Sequence, residues 1–284
     1  MSFQPVVPLG GLAGWRFLER TQERQSLQFA RSPELTRATA YFRDNIGSVR
    51  TARQLVLDRR LLQVALGAFG LDADLDKKFF IRKILEEGTA DPRAMANRLS
   101  DRRYRRLAGA FAFDSPAGPA IRQAGFADRI IAAYKTRQFE IAVGKSDPAI
   151  RLAMNFKREI RTLAANDKGD KTGWYVLLAS PPMRRVVEGA LGLPRQIAAL
   201  DIDRQVDILK SRFRTSIGVS RLSQFADNSR IERVIQKFLA REATRGNTAQ
   251  RPGSTALTLL QETQSGFLDN GAMIESLIAS KFRQ

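Results

Sequence analysis

Apolar residues recur along this chain at intervals of three and four. Ile150, Ala153, Phe156, Ile160 and Leu163 keep that spacing, as do Ile231, Val234, Ile235, Phe238 and Leu239. A 3.6-residue period places such positions on one face of an α-helix. Leu55, Leu57, Leu61, Leu62, Val64, Ala65, Leu66, Ala68 and Phe69 form a longer run that closes at Gly70; Phe79, Phe80, Ile84 and Leu85 form a shorter one that closes at Gly88. Glycine at those ends predicts helix C-caps. Ser32-Pro33 and Asp147-Pro148 predict helix starts, a capping side chain followed by proline in the first turn, and Asp91-Pro92 repeats the pair. Strand-like alternation is confined to one modest stretch, Thr215 to Val219. The pattern predicts an all-α chain.

The helical runs also repeat. Leu61–Leu71 lines up with Met183–Leu193, matching Val64 to Val186, Gly67 to Gly189, Ala68 to Ala190, Gly70 to Gly192 and Leu71 to Leu193. Upstream, Ser32, Arg37, Phe42 and Ile46 pair with Ser146, Arg151, Phe156 and Ile160. Downstream, Ile84-Leu85 pairs with Ile208-Leu209, and Tyr104, Arg106, Leu107 and Phe111 stand opposite Ile231, Arg233, Val234 and Phe238. The order is collinear, which predicts an internally duplicated bundle of short helices. The expected organisation is a flexible segment at 1–14, helical unit A at 15–114, its duplicate B at 115–240, a polar Gly/Pro/Thr linker at 241–256 and a C-terminal helical segment at 257–284. A smaller echo, Asp58-Arg59-Arg60 with Gly67-Ala68-Phe69 and Asp101-Arg102-Arg103 with Gly109-Ala110-Phe111, predicts close helix approach at each glycine.

Composition narrows the chemistry. The 284 residues include no Cys and no His. A disulfide, a thiolate nucleophile, an imidazole base and a Cys/His zinc site are therefore excluded. Asp72-Ala73-Asp74-Leu75-Asp76 begins as a calcium loop does, but Lys77 and Lys83 occupy the positions that need Gly and Glu, so a helix start is expected. Gly10-Gly11-Leu12-Ala13-Gly14 lacks the Gly-Lys-Ser/Thr of a phosphate loop. Asp167 to Thr172 reads as a solvated turn, Glu86-Glu87 has no second carboxylate at a defined distance, and Lys135, Lys145 and Ser146 make no Ser/Lys nucleophile motif. No catalytic, cofactor or metal residue is assigned. No stretch supplies the ~20 apolar residues of a membrane span, and the N-terminus, without a positive n-region, does not read as a cleavable signal.

Charge is the remaining signal. Lys plus Arg is 47 against 29 Asp plus Glu, a formal charge of +18, with Arg outnumbering Lys 36 to 11. The guanidinium fork suits carboxylate and phosphate. One concentration is Arg98, Arg102, Arg103, Arg105 and Arg106 around Tyr104. The other spans 210–251 and includes Lys210, Arg212, Arg214, Arg221, Arg230, Arg233, Lys237, Arg241, Arg245 and Arg251. An acidic protein surface is one partner for such faces, nucleic acid a second and an anionic membrane surface a third. In the C-terminal segment Leu257, Leu260, Phe267, Ile274 and Ile278 belong to an apolar stripe that can meet a partner helix.

The ordered segments NIGSVRTARQLVLDRRLLQVALGAFGLD, IRKILEEG and DPRAMANRLSDRRYRRLAGAFAF resemble the alphaproteobacterial family called domain of unknown function 1217. The resemblance covers most of the chain and is sharpest over 45–113. It implies a helical protein, often encoded among flagellar genes, with a role in flagellar assembly or structure and a cytoplasmic or flagellum-associated location; it carries over no catalytic residues. The expectation is a non-enzymatic protein that contacts other proteins, flagellar or acidic-surfaced, through Arg98 to Arg106 and the C-terminal stripe.

Overall fold

The computed structural model describes residues 3–249. Among them are thirteen α-helices, five short 3-10 turns and no strand. In chain order the helices are α1 (Gly11–Ala30), α2 (Pro33–Asn45), α3 (Ala52–Leu57), α4 (Arg59–Phe69), α5 (Lys78–Glu87), α6 (Met95–Arg98), α7 (Arg102–Phe111), α8 (Phe126–Ser146), α9 (Pro148–Ala165), α10 (Thr172–Ala179), α11 (Pro181–Leu191), α12 (Ile202–Ile217) and α13 (Asn228–Ala249). The protein is all-α. The stretch from Thr215 to Val219 is no strand: it is the end of α12, stopped by Gly218 at φ 78°, whose N–H bonds to the carbonyls of Phe213 and Arg214. Its alternation reflects burial of Ile217 and Val219 on either side of that cap.

The chain divides into a unit Met1–Leu239 and a unit Ala240–Gln284. One contiguous hydrophobic core runs through the first, from Trp15 to Leu239, so residues 15–114 and 115–239 share it. Trp174, Phe213, Phe225 and Phe156 form a chain of ring contacts with centroids 5.5, 5.6 and 6.4 Å apart. A small satellite of Ile84, Ala96 and Ala108 is closed by Phe80 and Tyr104. In the second unit the described residues continue α13 as far as Ala249, within the stretch expected to be a linker. The C-terminal candidates Leu257, Leu260, Phe267, Ile274 and Ile278 lie outside the described residues.

Helices α3, α4, α7, α9 and α12 start at capping side chains. The Asp147 carboxylate accepts from the N–H groups of Ala149 (2.8 Å) and Ile150 (3.1 Å) at the head of α9, and also from Gly11 at the head of α1 (3.0 Å). One side chain thus satisfies two helix ends. Ser32 precedes α2 with no side-chain cap. Asp91-Pro92 begins a turn, with α6 starting only at Met95. Residues 3–10 are held: Pro5 is buried, and the Gln25 side chain bonds both to the N–H (2.7 Å) and to the carbonyl (3.1 Å) of Val6. Gly14 permits this, since a β-carbon there would lie 1.8 Å from the Leu9 carbonyl oxygen.

Candidate functional site

A cleft of about 1130 Å³ is lined by α7, α8, α9 and the corner between α10 and α11. Helix α9 is two-faced. Ile150, Ala153, Phe156 and Ile160 turn into the core, while Arg151, Leu152, Asn155, Glu159 and Thr162 line the cleft, joined by Asn166 at the helix end. Helix α7 does the same at its start. Leu107, Ala108 and Phe111 are buried, and Arg102, Arg105 and Arg106 are exposed on the cleft.

The charged groups fall into two sets. The carboxylates of the cleft are engaged. Glu140 takes the Arg158 guanidinium bidentately at 2.8 and 3.0 Å. Glu159 accepts from Arg106 (2.6 Å), Arg137 (3.2 Å) and Arg158. Burial alone would raise the Glu159 carboxyl, but Arg106, Arg158 and Arg137 together hold it below the ordinary carboxylate range. Asp101 caps α7 through the Arg103 N–H and pairs with the Arg103 guanidinium at 2.6–3.0 Å; despite burial its carboxyl is also held low. Asp170 accepts from the N–H and hydroxyl of Thr172. Burial, then the neighbouring Arg158, brings Arg137 down to about 10, and its Nε is bonded to the Ala68 carbonyl at 2.8 Å.

The second set is cationic and uncommitted. Among the described residues, the side chains of Arg102, Arg105, Arg151 and Lys168 line the cleft with no hydrogen-bond acceptor or carboxylate partner. Burial, then the like charges of Arg105 and Arg106, lowers the Arg102 pKa, a sign of crowded positive charge. The stem of Arg151 lies over Gly144, where a β-carbon would come within 2.4 Å of its Cδ. Asn155 Oδ1 is buried without a hydrogen-bond partner.

Of the residues singled out from sequence, Arg102, Arg103, Arg105 and Arg106 come together on the cleft. Arg98, at the end of α6, is exposed and does not line it. Arg103 also donates to the Gly70 carbonyl. Tyr104 is occupied in packing: its ring meets Phe80 edge-on at 5.2 Å and its hydroxyl donates to Asp74 at 2.7 Å. Asp74 pairs with Lys77 as well, so the acidic run of Asp72 to Asp76 serves internal contacts. Gly109 admits no close neighbour, the nearest atom to a β-carbon there being 3.7 Å away on Thr89. In the second basic stretch, Arg230 and Arg233 donate to the Gly218 and Ile217 carbonyls at the end of α12, the negative end of that helix; Arg245 and Arg251 are not among the described side chains. Sequence reasoning missed Arg137, Arg151, Asn155 and Glu159. The available signal was the second stripe of α9, Arg151, Asn155, Glu159 and Thr162, which keeps helical spacing of its own.

These features define an all-α protein with a basic cleft braced by buried ion pairs. A family model described as "Protein of unknown function (DUF1217)" matches residues 68–231, more than half of the chain, and the chain belongs to that family. A crystal structure of a protein from Agrobacterium tumefaciens, a structural-genomics target, is similar with a TM-score of 0.68 and 25% sequence identity, covering 85% of this chain and 99% of that one. Comparison with curated proteins gives no match. Among the described residues no helix is long and apolar enough to cross a membrane.

Proposed function

We propose that this protein is a non-enzymatic helical scaffold that works by binding another protein, in the flagellar setting that the family resemblance implies. One observation carries the reading. In the cleft the acids are spent and several bases are free. Proton transfer needs a carboxyl poised to change state, and Glu159 and Asp101 are locked to arginines that keep them ionised. Attraction of an acidic group needs cations without internal partners, and Arg102, Arg105, Arg151 and Lys168 are of that kind.

We also propose that the scaffold arose by duplication. Helices α3 and α4 share the single junction residue Asp58, and α10 and α11 share Ser180. Helices α4 and α11 each have 11 residues and end at a left-handed glycine, Gly70 and Gly192. Each is followed by the same bond pattern, Leu71 N–H to Leu66 O at 3.0 Å and Leu193 N–H to Glu188 O at 2.9 Å. Gly67 lies under the Tyr134 ring of α8, and Gly189 under the Phe238 ring of α13. On this reading the counterpart of α13 is α8, in place of the α7 pairing expected from sequence, and α6 and α7 are an insertion in the first copy. The arginine edge of the cleft then belongs to the element that breaks the repeat.

The test is affinity purification of the full chain from motile cells, with a deletion strain scored for motility and filaments. The expected result is recovery of a flagellar protein and impaired motility. Normal motility with no specific recovery would remove the proposal.

A further inference from the structure

The geometry points to an acidic amphipathic peptide segment as the occupant of the cleft, its carboxylates on Arg102, Arg105, Arg151 and Lys168 and its apolar side chains on the half-buried Leu152, Leu163 and Val176. The inference rests on reading the chain as a protein-binding scaffold and names the chemistry of what it binds.

Charge complementarity gives the first argument. Arg102 and Arg105 come from α7, Arg151 from the head of α9 and Lys168 from the turn after α9, so the free cations are supplied by three separate segments around the cleft. A chain with several spaced carboxylates satisfies them better than a single anion. The second argument is the floor. Ile141, Leu152, Leu163 and Val176 add apolar surface to the same cleft, which suits the apolar stripe of an amphipathic peptide. Against a nucleic-acid strand stands one fact: no aromatic ring for base stacking is among the lining residues.

The experiment uses the full chain and fluorescence anisotropy at low salt with three labelled probes. These are a short helical peptide whose leucine stripe is flanked by glutamates, the same peptide with glutamine for glutamate, and oligothymidylate. The acidic peptide is expected to bind, and the other two to bind at least about tenfold more weakly. The variants Arg102→Ala/Arg105→Ala and Arg151→Ala/Lys168→Ala remove exposed side chains without internal partners, so both are expected to fold and each to lose about tenfold in peptide affinity. Arg16→Ala/Arg20→Ala, exposed on α1, makes the same change in net charge away from the cleft and is expected to leave affinity unchanged. An equal loss in that control, tighter binding of oligothymidylate, or no binding of the acidic peptide by the wild-type chain overturns the inference. A cellular partner that binds the wild-type chain and the Arg102→Ala/Arg105→Ala chain alike sinks the cleft while leaving the scaffold reading standing.

Discussion

Glu159 is the keystone of the ion-pair network, and replacing it with glutamine keeps the shape while removing the charge. Its side chain is 12% exposed and accepts from Arg106, Arg137 and Arg158. The three arginines fare differently in Glu159→Gln. Arg158 keeps its bidentate pair with Glu140. Arg106, 46% exposed, turns to water. Arg137 is 14% exposed and retains the Ala68 carbonyl and the more distant charge of Glu140, with no carboxylate bonded to it. The cost is therefore dominated by one stranded cation, about 3 kcal/mol, the lower end of what breaking a buried pair costs. Urea denaturation at neutral pH should show a lower midpoint with an unchanged slope. Arg137→Met/Glu159→Gln should recover much of the loss, because the stranded charge goes too. The pH dependence has a definite sign. A carboxyl held below its unfolded value contributes stability that is fully present above that value and is lost as pH falls through the folded one. The gap between wild type and Glu159→Gln should thus narrow in acid. A loss within about 0.5 kcal/mol, as for an exposed pair, or a gap that widens in acid, would refute the reasoning.

Two glycine experiments test the local geometry. Gly88 has φ 62° and ψ −141°, and a β-carbon there would lie 1.8 Å from Asp114 Cγ, whose carboxylate accepts from the Thr89 and Ala90 N–H groups. Gly88→Ala should cost about 3 kcal/mol, and Gly118→Ala, at φ 85° with open space around it, about 1 kcal/mol; thermal melts compare them. Gly67→Ala and Gly189→Ala each push a methyl group to within 2.6–2.7 Å of an aromatic ring, and each should cost about 2 kcal/mol in urea denaturation. Equivalence of the two supports the duplication; a cost at only one of them counts against it.

The helices were legible because their signals are local. Apolar spacing in α9 and α13, Asp147 before Pro148, and Gly70 and Gly192 after their helices each need only neighbouring residues to act. Where local signals misled, a longer-range contact decided. Gly67 and Gly109 sit in similar sequence, yet only Gly67 has an aromatic ring pressed on it, supplied by Tyr134 far along the chain. The N-terminal segment looked loose because its anchors are Gln25 and Asp147, on other elements. The cleft was half legible. The arginines of α7 stand together in sequence, but Arg137, Glu140, Arg158 and Glu159 become a network only when α8 docks on α9.

The arginines of α7 are placed against the physics of their own helix. Arg102, Arg103, Arg105 and Arg106 occupy its first two turns, with no acid in the first turn. The N-terminal end of a helix carries partial positive charge, and cations there are unfavourable by about 0.3–1 kcal/mol each. A sequence selected for stability alone would put acids in that turn, and a violation of this kind is expected where binding demands it. Arg102, the first helical residue, is therefore the position at which stability and binding should part. Arg102→Glu replaces a cation crowded by Arg105 and Arg106 with an acid that faces them at i+3 and i+4. The fold should gain about 1 kcal/mol in urea denaturation from the dipole and the new pairs, while affinity for the acidic peptide falls by more than about tenfold. A variant that is less stable than wild type, or one that gains stability and still binds the peptide as before, would show that the charge at this turn is not held there for a ligand.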